Sequence, residues 1–210
     1  MKKLLLLIAF VLATLFLPAV VANAEAVTPV KDAVKETTVE GDTLFIVQLD
    51  PNHVGKPGEI EQRIYDSFAE GIKKANHMPI PFNKAQKTFR IYLREEAAPD
   101  TQREQDLGVV LKSKDFMELA KQANVRYVLV VATRVSSAEE KMNFWTGSRK
   151  NLTILTNVVL YDAQEQDYLA DQSFTDIGTT SGSYDRAYSR AINKLLKEIK
   201  VADLYSGTVY

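Results

Sequence analysis

The chain has 210 residues, a formal net charge of −1 and no cysteine. The absence of cysteine excludes disulfide bonds, a cysteine nucleophile and the cysteine-linked lipid anchor of exported lipoproteins. The nearly balanced charge differs from the basic stripe that nucleic-acid-binding surfaces carry, so we expect no nucleic-acid partner.

The first 24 residues predict a secretory signal peptide. Two lysines open the chain, residues 4–21 are almost wholly apolar, and Ala22 and Ala24 supply the small side chains that a signal peptidase accepts. We expect cleavage before Glu25 and export to the periplasm or beyond the cell. A retained membrane anchor is the alternative, because the apolar run approaches the roughly 20 residues of a membrane span.

Cleavage would leave 186 of the 210 residues, with 24 basic against 27 acidic side chains and a net charge of −3. We expect no membrane span in this processed chain. Residues 25–42 are poor in large apolar side chains and predict an extended leader. Residues 43–210 predict a single domain, a length that supports a packed core without disulfide bonds.

The domain opens with a compact apolar run at residues 44–47, which predicts a strand buried on both faces. A helix with one apolar stripe is predicted next, at Ile60, Ile64, Phe68 and Ile72. Alternation of apolar and polar side chains then predicts an edge strand at Phe89, Ile91 and Leu93. A further helix is predicted between a cap at Ser113 and an end at Asn124, followed by a second doubly buried strand at residues 127–132.

Residues 136–150 are charged and predict a connection rather than a strand. This segment contains the aromatic pair Phe144 and Trp145. We expect the connection to fold back and bury Trp145 against the end of the sheet. The alternative is an exposed interaction loop, because aromatic side chains are enriched at protein interfaces.

The remaining elements complete the fold prediction. Residues 152–161 and 168–177 predict a hairpin, and the apolar spacing from Tyr184 to Ile199 predicts a long amphipathic helix. The predicted order is β-α-β-α-β-β-β-α. This order is typical of an α/β (α+β) fold, a mixed sheet of about five strands with three helices packed on it.

No residue pattern predicts catalysis, a cofactor or a metal. His53 and His77 both lie in turns, where we expect exposed side chains without a special role. An EF-hand-like spacing begins at Asp50, but Val54 stands where the loop needs an oxygen ligand and Pro57 stiffens it. We therefore expect neither an enzyme nor a metal site.

Two segments resemble a known group of envelope proteins. The helix-to-strand step at residues 119–132 and the hairpin at residues 158–173 are similar to those of the CsgG, LpoB and TolB amino-terminal group. Ala132 replaces the glycine usual in that group, and Glu165 and Gln166 occupy the hairpin turn where a glycine is expected. The resemblance implies a fold and a setting in the cell envelope, and it does not imply pore formation.

Three functions follow as hypotheses. The first is a non-enzymatic envelope accessory protein that binds a protein partner through a sheet edge or through Phe144 and Trp145. The second is a domain that binds a small ligand in a pocket between helices and sheet. The third is a hydrolase, which would require His53 or His77 to lie beside carboxylates.

Overall fold

The fold is a four-stranded mixed sheet in the computed structural model, which describes residues 41–50, 57–95, 111–145 and 147–207. The strands are β1 (Thr43–Gln48), β2 (Tyr127–Asn143), β3 (Gly147–Asp162) and β4 (Asp167–Thr180). The predicted signal cleavage site (Ala22, Ala24 and Glu25), most of the leader, His53 and half of the EF-hand-like loop lie outside the described residues.

The strand order in the sheet is the order in the sequence. β1 pairs with β2 in parallel, from Thr43 opposite Tyr127 to Gln48 opposite Ala132. β2 pairs with β3 and β3 with β4, both antiparallel. The predicted doubly buried strands are confirmed: residues 44–47 and 128–131 are at most 6% exposed.

Five helices surround this sheet within the described part of the chain: α1 (Pro57–Lys74), α2 (Phe82–Glu95), α3 (Ser113–Ala123), α4 (Tyr184–Glu198) and α5 (Val201–Leu204). One apolar layer unites one face of the sheet with α1, α4 and α5. A second layer unites the opposite face with α2 and α3. The structure is therefore a sheet covered by helices on both faces.

The predicted edge strand at Phe89, Ile91 and Leu93 is wrong, because this segment belongs to α2. The buried side chains of α2 are Ala85, Gln86, Phe89 and Tyr92, which follow the spacing of one helix face. A strand would place Tyr92 on its solvent-exposed face, whereas Tyr92 lies in the core and its hydroxyl donates to Asp115. The described sheet consequently has four strands instead of about five.

The prediction that residues 136–150 form a charged connection rather than a strand is also wrong. β2 continues to Asn143 and β3 begins at Gly147, so the two strands form one long hairpin. The predicted hairpin at residues 152–161 and 168–177 is confirmed by β3 and β4, and the last long helix is confirmed by α4.

The ends of α3 match the prediction in part. Asn124 ends the helix in a left-handed conformation with φ of 54°, as predicted. The cap is Lys112 instead of Ser113, because the Asp115 carboxylate accepts from the backbone N–H of Lys112. The Ser113 hydroxyl lies 3.0 Å from the Tyr161 hydroxyl, which ties α3 to β3.

Gly178 sets the distance between α4 and β4. A Cβ atom at this position would lie 1.7 Å from the carbonyl oxygen of Ala187. No side chain fits there without moving the helix backbone, because real Cβ atoms do not approach a backbone oxygen so closely.

We expect Gly178→Ala to lower the free energy of unfolding by about 1–3 kcal/mol, the cost of forcing an extra methyl group into a packed core. Urea denaturation of the purified protein measures this loss. Gly58→Ala is the matched control, because a Cβ at Gly58 meets nothing within 4 Å. Equal stability of the two variants would contradict the close packing of α4 on β4.

Candidate interaction surface

The long hairpin extends beyond the rest of the sheet. β1 covers β2 only as far as Ala132, and β4 covers β3 only from Lys150 onward. We call residues 137–153 the ribbon, which comprises the ends of β2 and β3 and the turn between them. Its side chains on β2 are exposed on both faces from Ser137 to Met142.

Three large apolar side chains mark the end of the ribbon. Met142 is 83% exposed, Phe144 is 93% exposed and Trp145 is 88% exposed. We call these three residues the apolar tip. The two aromatic rings contact each other edge to face, with centroids 5.5 Å apart.

The expected burial of Trp145 against the sheet end is therefore wrong. β2 and β3 stay paired as far as Asn143 opposite Gly147, so the turn cannot fold back onto the sheet. Gly147 has a positive φ of 74°, a conformation that glycine adopts without steric cost and that permits this tight turn. The turn consequently lies at the outer end of the ribbon.

Exposure of the tip is energetically unfavourable for an isolated molecule. Each large apolar side chain left in water forgoes roughly 1.5–3 kcal/mol of burial free energy. β4 supports the ribbon only from Lys150 onward, so the pairs from Lys141 opposite Arg149 to Asn143 opposite Gly147 have no third described strand beside them. Adjacent exposed apolar side chains of this kind mark interaction sites.

Charged side chains surround the base of the tip. Lys141 lies 3.6 Å from Glu139 on the same face of β2. Glu140 accepts a hydrogen bond from Ser148 and is opposite Lys150 in the β2–β3 register. The Lys150 ammonium lies 5.0 Å from the centre of the Tyr184 ring, which fixes the ribbon base to the start of α4.

The sheet edge proposed as the other interaction surface is partly occupied at β4. The Lys194 ammonium donates to the carbonyl of Ile177 at 2.6 Å, and Arg190 donates to the carbonyl of Thr179. Both donors come from α4. These carbonyls are therefore already bonded within the chain, whereas an added strand needs free backbone groups.

The outer edge of β2 is different. The carboxylate of Asp50 accepts from the backbone N–H of Val135 at 2.9 Å, just beyond the end of β1. A β-bulge follows between Val135 and Ser137. No described strand pairs with the outer edge of β2 beyond Ala132, so the edge at residues 137–143 remains open to a partner strand.

His77 is not the plain exposed histidine that the sequence predicts. Its Nδ1 lies 2.6 Å from Oδ2 of Asp42. Its ring stacks on Tyr205 at 4.4 Å and meets the edge of Tyr127 at 4.6 Å. The Tyr205 hydroxyl lies 3.2 Å from that of Thr43, so this cluster fastens the end of the domain to the start of β1.

The pair of Asp42 and His77 meets one requirement of the hydrolase hypothesis, a histidine beside a carboxylate. A hydrolase also needs a nucleophile and a substrate cleft. His77 lines neither the depression beside α3 nor the one between α1 and α2. Among the described residues, no group of three or more histidine, aspartate or glutamate side chains is placed to hold a metal ion.

Two surface depressions bear on the small-ligand hypothesis. One, of about 900 Å³, is lined by the outer side of α3 and by adjacent turns, and it includes Lys114, Lys121 and Arg126. Another, of about 500 Å³, lies between the start of α1 and α2. Both are open to solvent, and binding of a small ligand stays a prediction.

Comparisons with known proteins leave the family open. No protein-family model matches the chain, and no curated protein matches it. In the described residues, no helix is both long enough and apolar enough to cross a membrane.

Several solved structures are weakly similar. The lipoprotein GNA1162 from Neisseria meningitidis matches with 12% identity and a TM-score of 0.41, over 74% of this chain and 98% of its own. The hypothetical protein CT253 from Chlamydia trachomatis matches with 10% identity and a TM-score of 0.39, over 80% and 94%. A PelC dodecamer from Paraburkholderia phytofirmans matches with 15% identity and a TM-score of 0.33, over 80% and 88%.

None of these three bears the name of the CsgG, LpoB or TolB group. The resemblance at residues 119–132 and 158–173 therefore stays a prediction at that level of detail. Such low TM-scores carry no conclusion about function, which has to come from the surfaces of the chain itself.

The cluster at His77 predicts a pH dependence of stability. Burial alone raises the pKa of Asp42, but hydrogen bonds from His77, Met78 and Thr43 outweigh burial and lower it below its usual 3.8. A lowered folded-state pKa stabilises the fold above about pH 3.8, and this contribution is lost as the pH falls through the folded-state pKa.

We expect Asp42→Asn to reduce the free energy of unfolding near neutral pH. The difference from the natural chain should shrink as the pH falls through and below about 3.8. Urea denaturation of both proteins at a series of pH values measures the loss of unfolding free energy and its dependence on pH. A loss that stays constant down to the lowest pH would contradict a contribution from the ionised carboxylate.

Proposed function

We propose that the processed protein is a non-catalytic accessory protein of the cell envelope that binds another envelope protein through the ribbon and its apolar tip. The single observation that carries this proposal is the exposure of Phe144 and Trp145 at the end of a ribbon that projects beyond the sheet. The setting in the envelope rests on the predicted signal peptide.

The chemistry of the tip supports a protein partner. Aromatic and methionine side chains are enriched at the centres of protein interfaces, where they supply most of the binding free energy. The tip offers one methionine and two aromatic side chains: Met142, Phe144 and Trp145. Charges of both signs, from Glu139 to Lys150, surround it and form the polar rim that such interfaces have.

The rigidity of the ribbon base also supports binding. The ladder of β2 and β3 continues without a break from residue 137 to residue 143. The contact of Lys150 with Tyr184 attaches this ladder to α4. A preorganised element loses less conformational entropy on binding than a flexible loop, which favours affinity.

Photo-crosslinking in intact cells tests the proposal. A benzophenone amino acid replaces Phe144 in the full chain, and the captured proteins are identified by mass spectrometry. We expect a covalent adduct with another envelope protein. The matched control carries the same probe at Lys73, an exposed position on α1, and should give no such adduct.

A second variant separates binding from folding. Trp145→Ser in the probe-bearing chain should reduce the yield of the adduct several-fold while the melting temperature stays unchanged, because this side chain is 88% exposed. Three outcomes contradict the proposal: no adduct with another protein, adducts only with lipid, or equal capture from position 73.

A further inference from the structure

The open edge of β2 has a sequence that is complementary to itself in the antiparallel direction. The edge covers seven residues, 137–143, between the β-bulge after Val135 and the turn. Its central residue is Glu140. Two copies that pair their whole open edges antiparallel must therefore cross at this residue, with the two-fold axis through it.

This register brings opposite charges together. Glu139 of each copy is placed opposite Lys141 of the other, which makes two cross-strand ion pairs. Ala138 of each copy is placed opposite Met142 of the other, which partly covers an apolar side chain that is 83% exposed in one copy. Opposite charges and apolar pairs at directly facing positions both stabilise antiparallel strands.

We propose that the outer edge of β2 binds a second copy of this chain, so that two sheets join into one continuous sheet across a two-fold axis at Glu140. Self-complementarity of one patch is what a two-fold interface requires. This proposal rests on the proposed function only in taking the ribbon to be an interaction element. It adds that the partner at the β2 edge is a second copy of the chain.

Features of the chain set the limits of this pairing. Asp50 bonds the N–H of Val135, so the second strand cannot extend past this point without breaking a bond within the chain. The edge of β4 is less suited to the same pairing near its end, because Lys194 and Arg190 already bond its carbonyls at Ile177 and Thr179. The described contacts place no such bond on the β2 edge at residues 137–143.

One contact opposes the pairing. The two Glu140 side chains face each other at the axis, and like charges at facing positions are destabilising. Each Glu140 is also opposite Lys150 of its own ribbon, so the row of charges across the joined sheet is plus, minus, minus, plus. The lysines reduce the repulsion without removing it. Glu140 therefore limits the affinity.

Charged residues on a sheet edge have a second role in other proteins, which is to prevent association. Sedimentation of the processed chain over a range of concentrations separates the two roles. Association predicts a reversible monomer–dimer equilibrium, whereas edge protection predicts a monomer at every concentration. A monomer throughout would overturn the proposal.

Charge reversal tests the register. Glu139→Lys and Lys141→Glu should each weaken the dimer by about tenfold or more, because both cross-strand pairs become repulsive. An equimolar mixture of the two variants should restore association, because the lysine introduced at position 139 of one chain would then face the glutamate introduced at position 141 of the other. Within each variant chain, residues 139 and 141 carry the same charge, and this repulsion is unchanged in the mixture. Restored association can therefore be explained only by pairing between the two variant chains.

Further variants complete the design. Glu140→Gln should tighten the dimer by about threefold, because it removes the like-charge contact at the axis. Glu70→Lys and Lys73→Glu make the same charge changes at exposed positions of α1 and should leave association unchanged. The proposal would be overturned if Glu139→Lys and Lys141→Glu both left the dimer affinity unchanged. It would also be overturned if the equimolar mixture of these two variants did not associate more tightly than either variant alone.

The two proposals fail separately. A dimer with no other protein captured from position 144 would support the self-pairing of β2 and contradict the proposed function. A monomer that is captured by another envelope protein would support the proposed function and contradict self-pairing.

Discussion

The parallel pairing of β1 with the first six residues of β2 is the constraint on which the fold depends. Phe45 and Leu129 face the layer formed by α1, α4 and α5, whereas Leu44 and Val128 face the layer formed by α2 and α3. Side chains alternate strictly between the two faces of a strand. A shift of either strand by one residue would therefore exchange its side chains between the layers, which are filled by different helices.

The same constraint creates the exposed ribbon. β1 has six residues and β2 has seventeen, so most of β2 extends past its parallel neighbour. Helices cover the part of the sheet that β1 helps to build, and α4 also covers β3 and β4 as far as Leu152 and Gly178. The end of β2 beyond this cover is exposed to solvent. The core and the proposed interaction surface thus lie at the two ends of one strand, and the register in the core determines which residues reach the tip.

Much of this fold could be predicted from the sequence, because its signals are local. Continuous apolar runs identified the two strands buried on both faces, and the apolar stripe from Tyr184 identified α4. The error at Phe89 arose because the alternation of Phe89, Ile91 and Leu93 fits a strand, whereas a helix brings together residues that are three and four apart. The buried helix face contains Ala85, Phe89 and Tyr92, and its burial depends on the tertiary fold.

The sequence indicates which residues could form the candidate site, but it does not predict where the fold places them. Phe144 and Trp145 are recognisable as aromatic residues in a polar segment, yet their exposure depends on the pairing of the charged strands around them. The pair of Asp42 and His77 joins residues that are 35 positions apart. Tyr205, which stacks on His77, is more than a hundred positions further along the chain. No local pattern indicates such a cluster.

The cluster at His77 and the apolar tip lie at opposite ends of β2. Tyr127, which contacts His77, is the first residue of this strand, and the turn with Phe144 follows its last. At about 3.3 Å per residue the seventeen residues span roughly 50 Å. The start of β1, which pairs with Tyr127, is therefore far from the apolar tip. The contacts of Tyr205 with His77 and Thr43 are thus separated from the apolar tip by the full length of β2.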